Sequence, residues 1–169
     1  MMAVHYFSQS LEDSVTHEMA LDAYFSGRGI TVTPVDHDGQ LSGKDRNFAT
    51  PDNLTYTVEY KADSRASDTR NAFIETVSVD EQNIPGWAYT STADVLVYYI
   101  PPDNIAYVLR MQSVKAMVPV WTETYPLQSV ANVSQRGESY HTIGLLVPIR
   151  VVTRLPHHSH FIPPLGVPA

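Results

Sequence analysis

The stretch Leu54-Thr55-Tyr56-Thr57-Val58-Glu59-Tyr60-Lys61 decides how this chain is read. Leu54, Tyr56, Val58 and Tyr60 fall on one parity, and Thr55, Thr57, Glu59 and Lys61 on the other. Strict alternation with β-branched and aromatic residues predicts a strand. Residues two apart on a strand project from the same face. Glu59 and Lys61 therefore present a carboxylate and an ammonium side by side, at the end of a strand whose other face is predicted to be buried. An acid that can hold a hard cation, beside a base that can steady a nucleophile or a phosphate, is a pair suited to metal-dependent phosphodiester chemistry.

Working outward, residues Ser10 to Phe25 read as a helix with an apolar stripe of Leu11, Val15, Met19 and Tyr24, joined by Ala20 and Leu21. Ser10 or Ser14 is placed to cap it, and Gly27 and Gly29 to end it. A strand is expected over Ile30–Val35, a turn-rich loop over Asp36–Lys44 and a short edge strand over Asp45–Thr50. Pro51-Asp52-Asn53 marks the turn into the deciding strand. Ala62–Asn71 reads as a polar loop and Ala72–Val77 as a strand carrying Glu75. Thr90–Asp94 is expected as a short helical step. Asp94–Ile100 and Ile105–Arg110 flank Pro101-Pro102-Asp103-Asn104, which predicts a hairpin with a four-residue loop. A short helix is expected at Pro119–Thr124 and a last apolar strand at Gly144–Ile149. The expected fold class is α/β, with a mixed central sheet flanked by helices. One domain is assigned to residues 1–155, and a Pro/His-rich, poorly ordered tail to 156–169.

The chain has 169 residues, enough for one domain with a real core, and 43% hydrophobic against 17% charged residues is an ordinary globular composition. No run approaches the roughly 18 apolar residues of a membrane span, and Met1–Phe7 lacks the pattern of a signal peptide. A cytoplasmic location without membrane attachment is the expectation. The absence of cysteine excludes a disulfide framework, cysteine-ligated zinc and a thiol nucleophile. A formal charge of -7 argues against non-specific coating of nucleic acid and leaves room for a local basic groove.

Asp45, in Ser42-Gly43-Lys44-Asp45-Arg46, followed by Glu59-Tyr60-Lys61, resembles the PD-(D/E)XK nuclease superfamily, in which an Asp on one strand precedes a Glu-x-Lys on the next. Lys61-Ala62-Asp63, Thr69-Arg70-Asn71, Phe73-Ile74-Glu75 and Pro85–Asp94 look like the downstream segments of small resolvase-like members. The resemblance covers roughly residues 14–110, and it departs from the pattern at Arg70, where a Gly with positive φ is expected. It implies a restriction-endonuclease-like fold and a Mg²⁺-dependent DNA endonuclease, with Mn²⁺ as a substitute. Asp45, Glu59 and the backbone carbonyl near Tyr60 would hold the metal, and Lys61 would orient the attacking water or stabilise developing charge. Glu18, on the first helix, is a further catalytic candidate. Glu75 is a supporting acid or a second-metal ligand, and Asp63, Arg70 and Asn71 are candidate phosphate-contacting or supporting groups. DNA is the expected partner. A homodimer is expected by family analogy, joined through the 94–110 hairpin or the C-terminal strand.

Each residue also has a plainer reading. Glu-x-Lys alone is usually a surface pair, and most helix glutamates such as Glu18 are simply solvated. Asp36, His37 and Asp38 suit a turn better than a metal. His157, His158 and His160 suit an incidental tract better than a transition-metal site. A catalytically silent nuclease fold that binds DNA or serves in an assembly is the alternative function. A structural domain in which Glu59 and Lys61 merely make a salt bridge is a third.

Overall fold

The computed structural model describes residues 5–134 and 136–166. The chain opens with β1 (His5–Tyr6), running straight into α1 (Phe7–Gly27). β2 (Thr31–Pro34) follows, then α2 (His37–Leu41), β3 (Arg46–Ala49) and β4 (Thr55–Ala62). A single helical turn, α3 (Ala66–Thr69), leads into β5 (Asn71–Val79), β6 (Ile84–Pro85) and α4 (Trp87–Thr90). The hairpin of β7 (Val95–Ile100) and β8 (Ile105–Arg110) feeds α5 (Met111–Thr124). The chain closes with β9 (Leu127–Val133), β10 (Ser139–Pro148), α6 (Ile149–Val152) and β11 (His157–Phe161).

Six strands form a mixed central sheet in the order β11-β8-β7-β4-β3-β2. β2, β3 and β4 are an antiparallel meander, and β4 pairs parallel to β7. A second sheet of five strands runs β1-β9-β10-β5-β6. Alternation along the central strands divides the core between the two faces of the sheet. On one face Leu21, Tyr24 and Phe25 of α1 pack on Phe48, Val58, Tyr60, Val97 and Tyr99. On the other, Leu96, Tyr98, Ile100 and Leu109 meet Ala72 and Ile74 of β5, Leu145 and Val147 of β10, and Val114, Val118 and Trp121 of α5. Each large apolar side chain so enclosed contributes about 1.5–3 kcal/mol relative to exposure.

Several expectations are corrected. α1 begins before Ser10, so neither Ser10 nor Ser14 caps it. Its buried residues are Ala20, Leu21, Tyr24 and Phe25, whereas Val15 and Met19 are exposed; the side chain of Leu11 lies outside the described ones. Residues 37–41 of the expected loop form α2, with Asp36 as its N-cap, its Oδ1 accepting from the Gly39 N–H at 2.8 Å. β3 is interior, because β2 covers its outer edge. The helix expected to start at Pro119 starts at Met111 and carries Pro119 inside it, so the preference of proline for a first turn misleads here. β9 was not expected: its Leu127, Val130, Ala131 and Val133 follow no strict alternation, and it is exposed at its start.

The segment expected as a disordered tail behaves differently. β11 completes the central sheet against β8, and Ile162 is fully enclosed beside α1. Backbone pairing and one isoleucine fasten this segment despite its prolines and histidines; residues 167–169 of it, like residues 1–4 at the other end, lie outside the described ones. Both elements expected to join a homodimer are interior strands: β7 and β8 lie between β4 and β11, and β10 lies between β9 and β5. Among the described residues, no helix is long and apolar enough to cross a membrane.

Candidate functional site

The site grows from the place where β4 continues past the first residue of β3. Arg46 is the first β3 residue in register, opposite Val58. One residue earlier the chain leaves the ladder, but Asp45 N–H still donates to the Val58 carbonyl at 2.8 Å. The Asp45 carboxylate then takes over the role of the missing strand, its Oδ2 accepting from the Tyr60 N–H at 2.7 Å. The Tyr60 carbonyl points to the same edge as its N–H, past the end of β3.

Glu59 and Lys61 project from the face of β4 opposite to Val58 and Tyr60. Lys61 Nζ lies 2.8 Å from Glu59 Oε1, with the Glu59 side chain 3% and the Lys61 side chain 35% exposed. Burial pulls Lys61 toward deprotonation, and Glu59, Asp45 and Glu75 overcome it, so its pKa lies above the ordinary lysine value. The charges of three carboxylates thus favour one ammonium, with Glu59 in contact with it. Burial pushes the Glu75 carboxyl above the usual range, with Lys61 opposing and Glu59 adding to the rise. The Trp87 N–H approaches Glu75 Oε1 at 3.4 Å, so α4 helps to hold that acid in place.

Glu59 Oε2 is buried and has no hydrogen-bond partner. Its neighbour is Gly43, at φ +70, where an added Cβ would stand 3.1 Å from that oxygen and 2.8 Å from Ser91 Cα. The 42–44 loop is fastened over Glu59 by Ser91 Oγ donating to the Gly43 carbonyl at 2.8 Å and by the Thr92 N–H donating to the Ser42 carbonyl at 3.0 Å. Lys115 Nζ in turn donates to the carbonyls of Ser91 and Tyr89. Gly43 and Ser91 were missed in the sequence. Gly43 sits two residues before Asp45, a glycine beside a candidate ligand, and was legible; Ser91 carries no local signal.

Other candidates fall elsewhere. Glu18 is on the α1 face of the sheet, opposite to Glu59, and its Oε2 pairs with the Arg46 guanidinium at 2.8 Å. Asp22 completes that cluster, 3.0 Å from Arg46 Nε and accepting from the Tyr60 hydroxyl at 3.0 Å. Glu18 is thus engaged by Arg46, whose guanidinium also donates to the Asp45 carbonyl at 2.9 Å. Asp63 holds the β4–β5 connection: its carboxylate accepts from the N–H groups of Ala66 and Phe73 and from the Tyr98 hydroxyl. Asn71 donates to the Thr69 carbonyl within the same turn. Arg70 keeps the positive φ expected of a glycine, at 58°, and its side chain, 75% exposed, pairs with Asp103. These three residues shape the connection rather than meeting the carboxylates. On β11, His157 points to the other face from His158 and His160, and His160 Nδ1 lies 3.1 Å from the Tyr24 hydroxyl, so the three do not converge.

Asp45, Glu59 and the Tyr60 carbonyl supply only oxygen donors, the set a hard divalent cation takes. The unpartnered Glu59 Oε2 and the excess of carboxylate over ammonium fit such an ion. Among the described residues, the Asp, Glu and His side chains that form a group of three with all ligand atoms within 4.8 Å of one another are Asp80, Glu81 and His141; Asp45, Glu59 and Glu75 are not such a group. Comparisons with protein-family models, curated proteins and solved structures find no match to this chain.

Proposed function

We propose that this protein is a metal-dependent endodeoxyribonuclease of the PD-(D/E)XK type, with Asp45, Glu59 and Lys61 as its working residues. The observation that carries the reading is the pair of buried Glu59 and partly exposed Lys61 on β4, with Asp45 bonded to the intervening Tyr60 N–H. The sequence resemblance implies an Asp on one strand and a Glu-x-Lys on the next; here Asp45 stands one residue before β3, beside the Glu59-Tyr60-Lys61 of β4. Asp45, Glu59 and the Tyr60 carbonyl would hold Mg²⁺, which supplies a Lewis acid for the phosphate and a more acidic bound water. Lys61 stays protonated because three carboxylates favour its charge. Once one of those carboxylates is engaged by a cation, its ammonium is available to a phosphate oxygen or to an attacking water. Glu75, its carboxyl raised by burial, is suited to hold or accept a proton at the edge of the site.

A second reading has its own observation. Glu59 is only 2% exposed, and the Gly43 loop packs on its free oxygen. In a catalytically silent nuclease fold the same pair would be a buried structural ion pair, and the protein would bind DNA or a partner without cutting. Calorimetric titration with Mg²⁺ separates the two. A single Mg²⁺ site in the wild type, lost in Asp45→Asn and in Glu59→Gln, supports the nuclease. No Mg²⁺ binding by the folded wild type favours the silent form.

A further inference from the structure

We propose that Asp80, Glu81 and His141 form a second cation site, remote in composition from Asp45 and Glu59 and selective for a divalent transition-series ion, zinc above all. Asp80 and Glu81 lie on the 3₁₀ turn Asp80–Gln82 that ends β5, and His141 on β10. The pairing of β10 with β5 brings them together across sixty residues of sequence. The Asp80 carboxylate is oriented before any ion arrives, its Oδ1 accepting from the His141 N–H at 2.8 Å and from the Glu81 N–H at 3.0 Å.

The spacing of the ligand atoms is the discriminating observation. His141 Nδ1 stands 3.4 Å from Asp80 Oδ2 and 3.6 Å from Glu81 Oε1. Both separations exceed the roughly 2.7–3.2 Å of a good N–H···O bond. They match instead an edge of a zinc tetrahedron: metal–ligand bonds of about 2.0–2.2 Å at the tetrahedral angle place neighbouring ligand atoms about 3.3 Å apart. The ligand atoms of all three side chains also lie within 4.8 Å of one another. The three side chains are each about a third to a half exposed, which leaves the fourth corner open to water and gives an ion a path in.

The choice of metal follows from the donors. An imidazole nitrogen with two carboxylates suits zinc and its neighbours, whereas Mg²⁺ prefers an all-oxygen octahedron. A bound ion would clip the end of β5 to β10 and stabilise the second sheet by linkage. The site is independent of the one proposed for catalysis, so either can fail without the other.

The test is a calorimetric titration of the full chain with Zn²⁺ and, separately, Mg²⁺, alongside ring-nitrogen NMR of the histidines. We expect one Zn²⁺ per chain, with affinity at least tenfold weaker in His141→Ala and in Asp80→Asn, unchanged in Glu59→Gln, and no competition from Mg²⁺. Zn²⁺ should shift the His141 ring nitrogens and leave those of His157, His158 and His160 in place. An isotherm unaltered by His141→Ala, or shifts at the β11 histidines alone, would overturn the proposal. The NMR experiment needs only the wild type, so a variant that fails to fold does not shield the claim.

Discussion

Lys61 Nζ sits 2.8 Å from Glu59 Oε1, and Lys61 is the only hydrogen-bonding partner that Glu59 has among the described side chains. A pair of this kind is asymmetric. Removing the ammonium strands a carboxylate that is 2% exposed, whereas removing the carboxylate leaves an ammonium that still reaches water. Lys61→Ala should therefore lower stability by about 1–3 kcal/mol, below the full value for a buried pair because Lys61 is partly exposed. Glu59→Gln should cost less, and the double variant should cost less than the two added together. Denaturant unfolding of the four proteins measures this; strict additivity would show that the pair is not coupled.

Gly43 is the residue that lets the loop close over Glu59. Gly43→Ala places a Cβ against Ser91 Cα and a side chain at φ +70, so it should destabilise by about 1–3 kcal/mol. It should also loosen the site, seen as weaker protection of the Tyr60 and Thr92 amides from hydrogen exchange. A variant with wild-type stability and exchange would mean that the 42–44 loop is not fastened as described.

The turn at Arg70 gives an opposite expectation. A non-glycine residue at φ 58° carries about 1–2 kcal/mol of strain. The Arg70–Asp103 pair that would be lost is largely exposed and contributes little. Arg70→Gly should therefore raise the unfolding midpoint slightly, even after the entropy that glycine adds to the unfolded chain. A clear fall would show that the Asp103 contact matters more than the backbone.

Alkaline pH tests the buried tyrosines. Burial, and then the carboxylates of Asp22 and Asp63, hold the hydroxyls of Tyr60 and Tyr98 above the ordinary tyrosine range. The unfolded chain gives up these protons near pH of about 10, while the folded chain retains them. Stability is thus fully present below that pH and is lost as pH rises beyond it. Tyr60→Phe loses the Asp22 bond, and its alkaline limb should be shallower by about 1.4 kcal/mol per pH unit. An unchanged slope would place the Tyr60 hydroxyl in contact with water.

Residues 156–162 supply a further check, because they form a strand and a plug where the composition predicts a tail. Ile162→Ala should cost about 2–4 kcal/mol by opening a cavity beside Phe25 and Tyr24. Truncation after residue 155 should prevent cooperative unfolding altogether, read by calorimetry. A truncated chain as stable as the full one would return this segment to a tail.

What was legible follows the physics of each segment. Alternation exposed β4, and the two apolar runs around Pro101–Asn104 exposed the β7–β8 hairpin in its observed register, Ile100 opposite Ile105. Asp45, Glu59, Lys61 and Glu75 stand out by the resemblance of their order in the chain to a nuclease pattern; that Asp45 stands one residue before β3 and Glu75 on a strand of the second sheet is not visible in one dimension. Nor is the side of the sheet on which Glu18 lies, since that depends on the roll of α1, and Val15 and Met19 counterfeited an apolar stripe. β9 and β11 escaped because neither carries a strict apolar–polar alternation and backbone pairing holds both in place. The Asp80–Glu81–His141 cluster escaped because strand pairing alone joins its parts.

The measurement that bears most directly on the central claim is cleavage itself. Wild type and Asp45→Asn would be incubated with supercoiled plasmid and with branched DNA, in Mg²⁺, in Mn²⁺ and in EDTA. Asp45→Asn keeps an acceptor for the Tyr60 N–H, so its fold should survive. The account predicts metal-dependent nicking or cutting by the wild type, with a loss of at least a hundredfold in Asp45→Asn. No cutting of any substrate by the folded wild type, or equal cutting by both proteins, would contradict it.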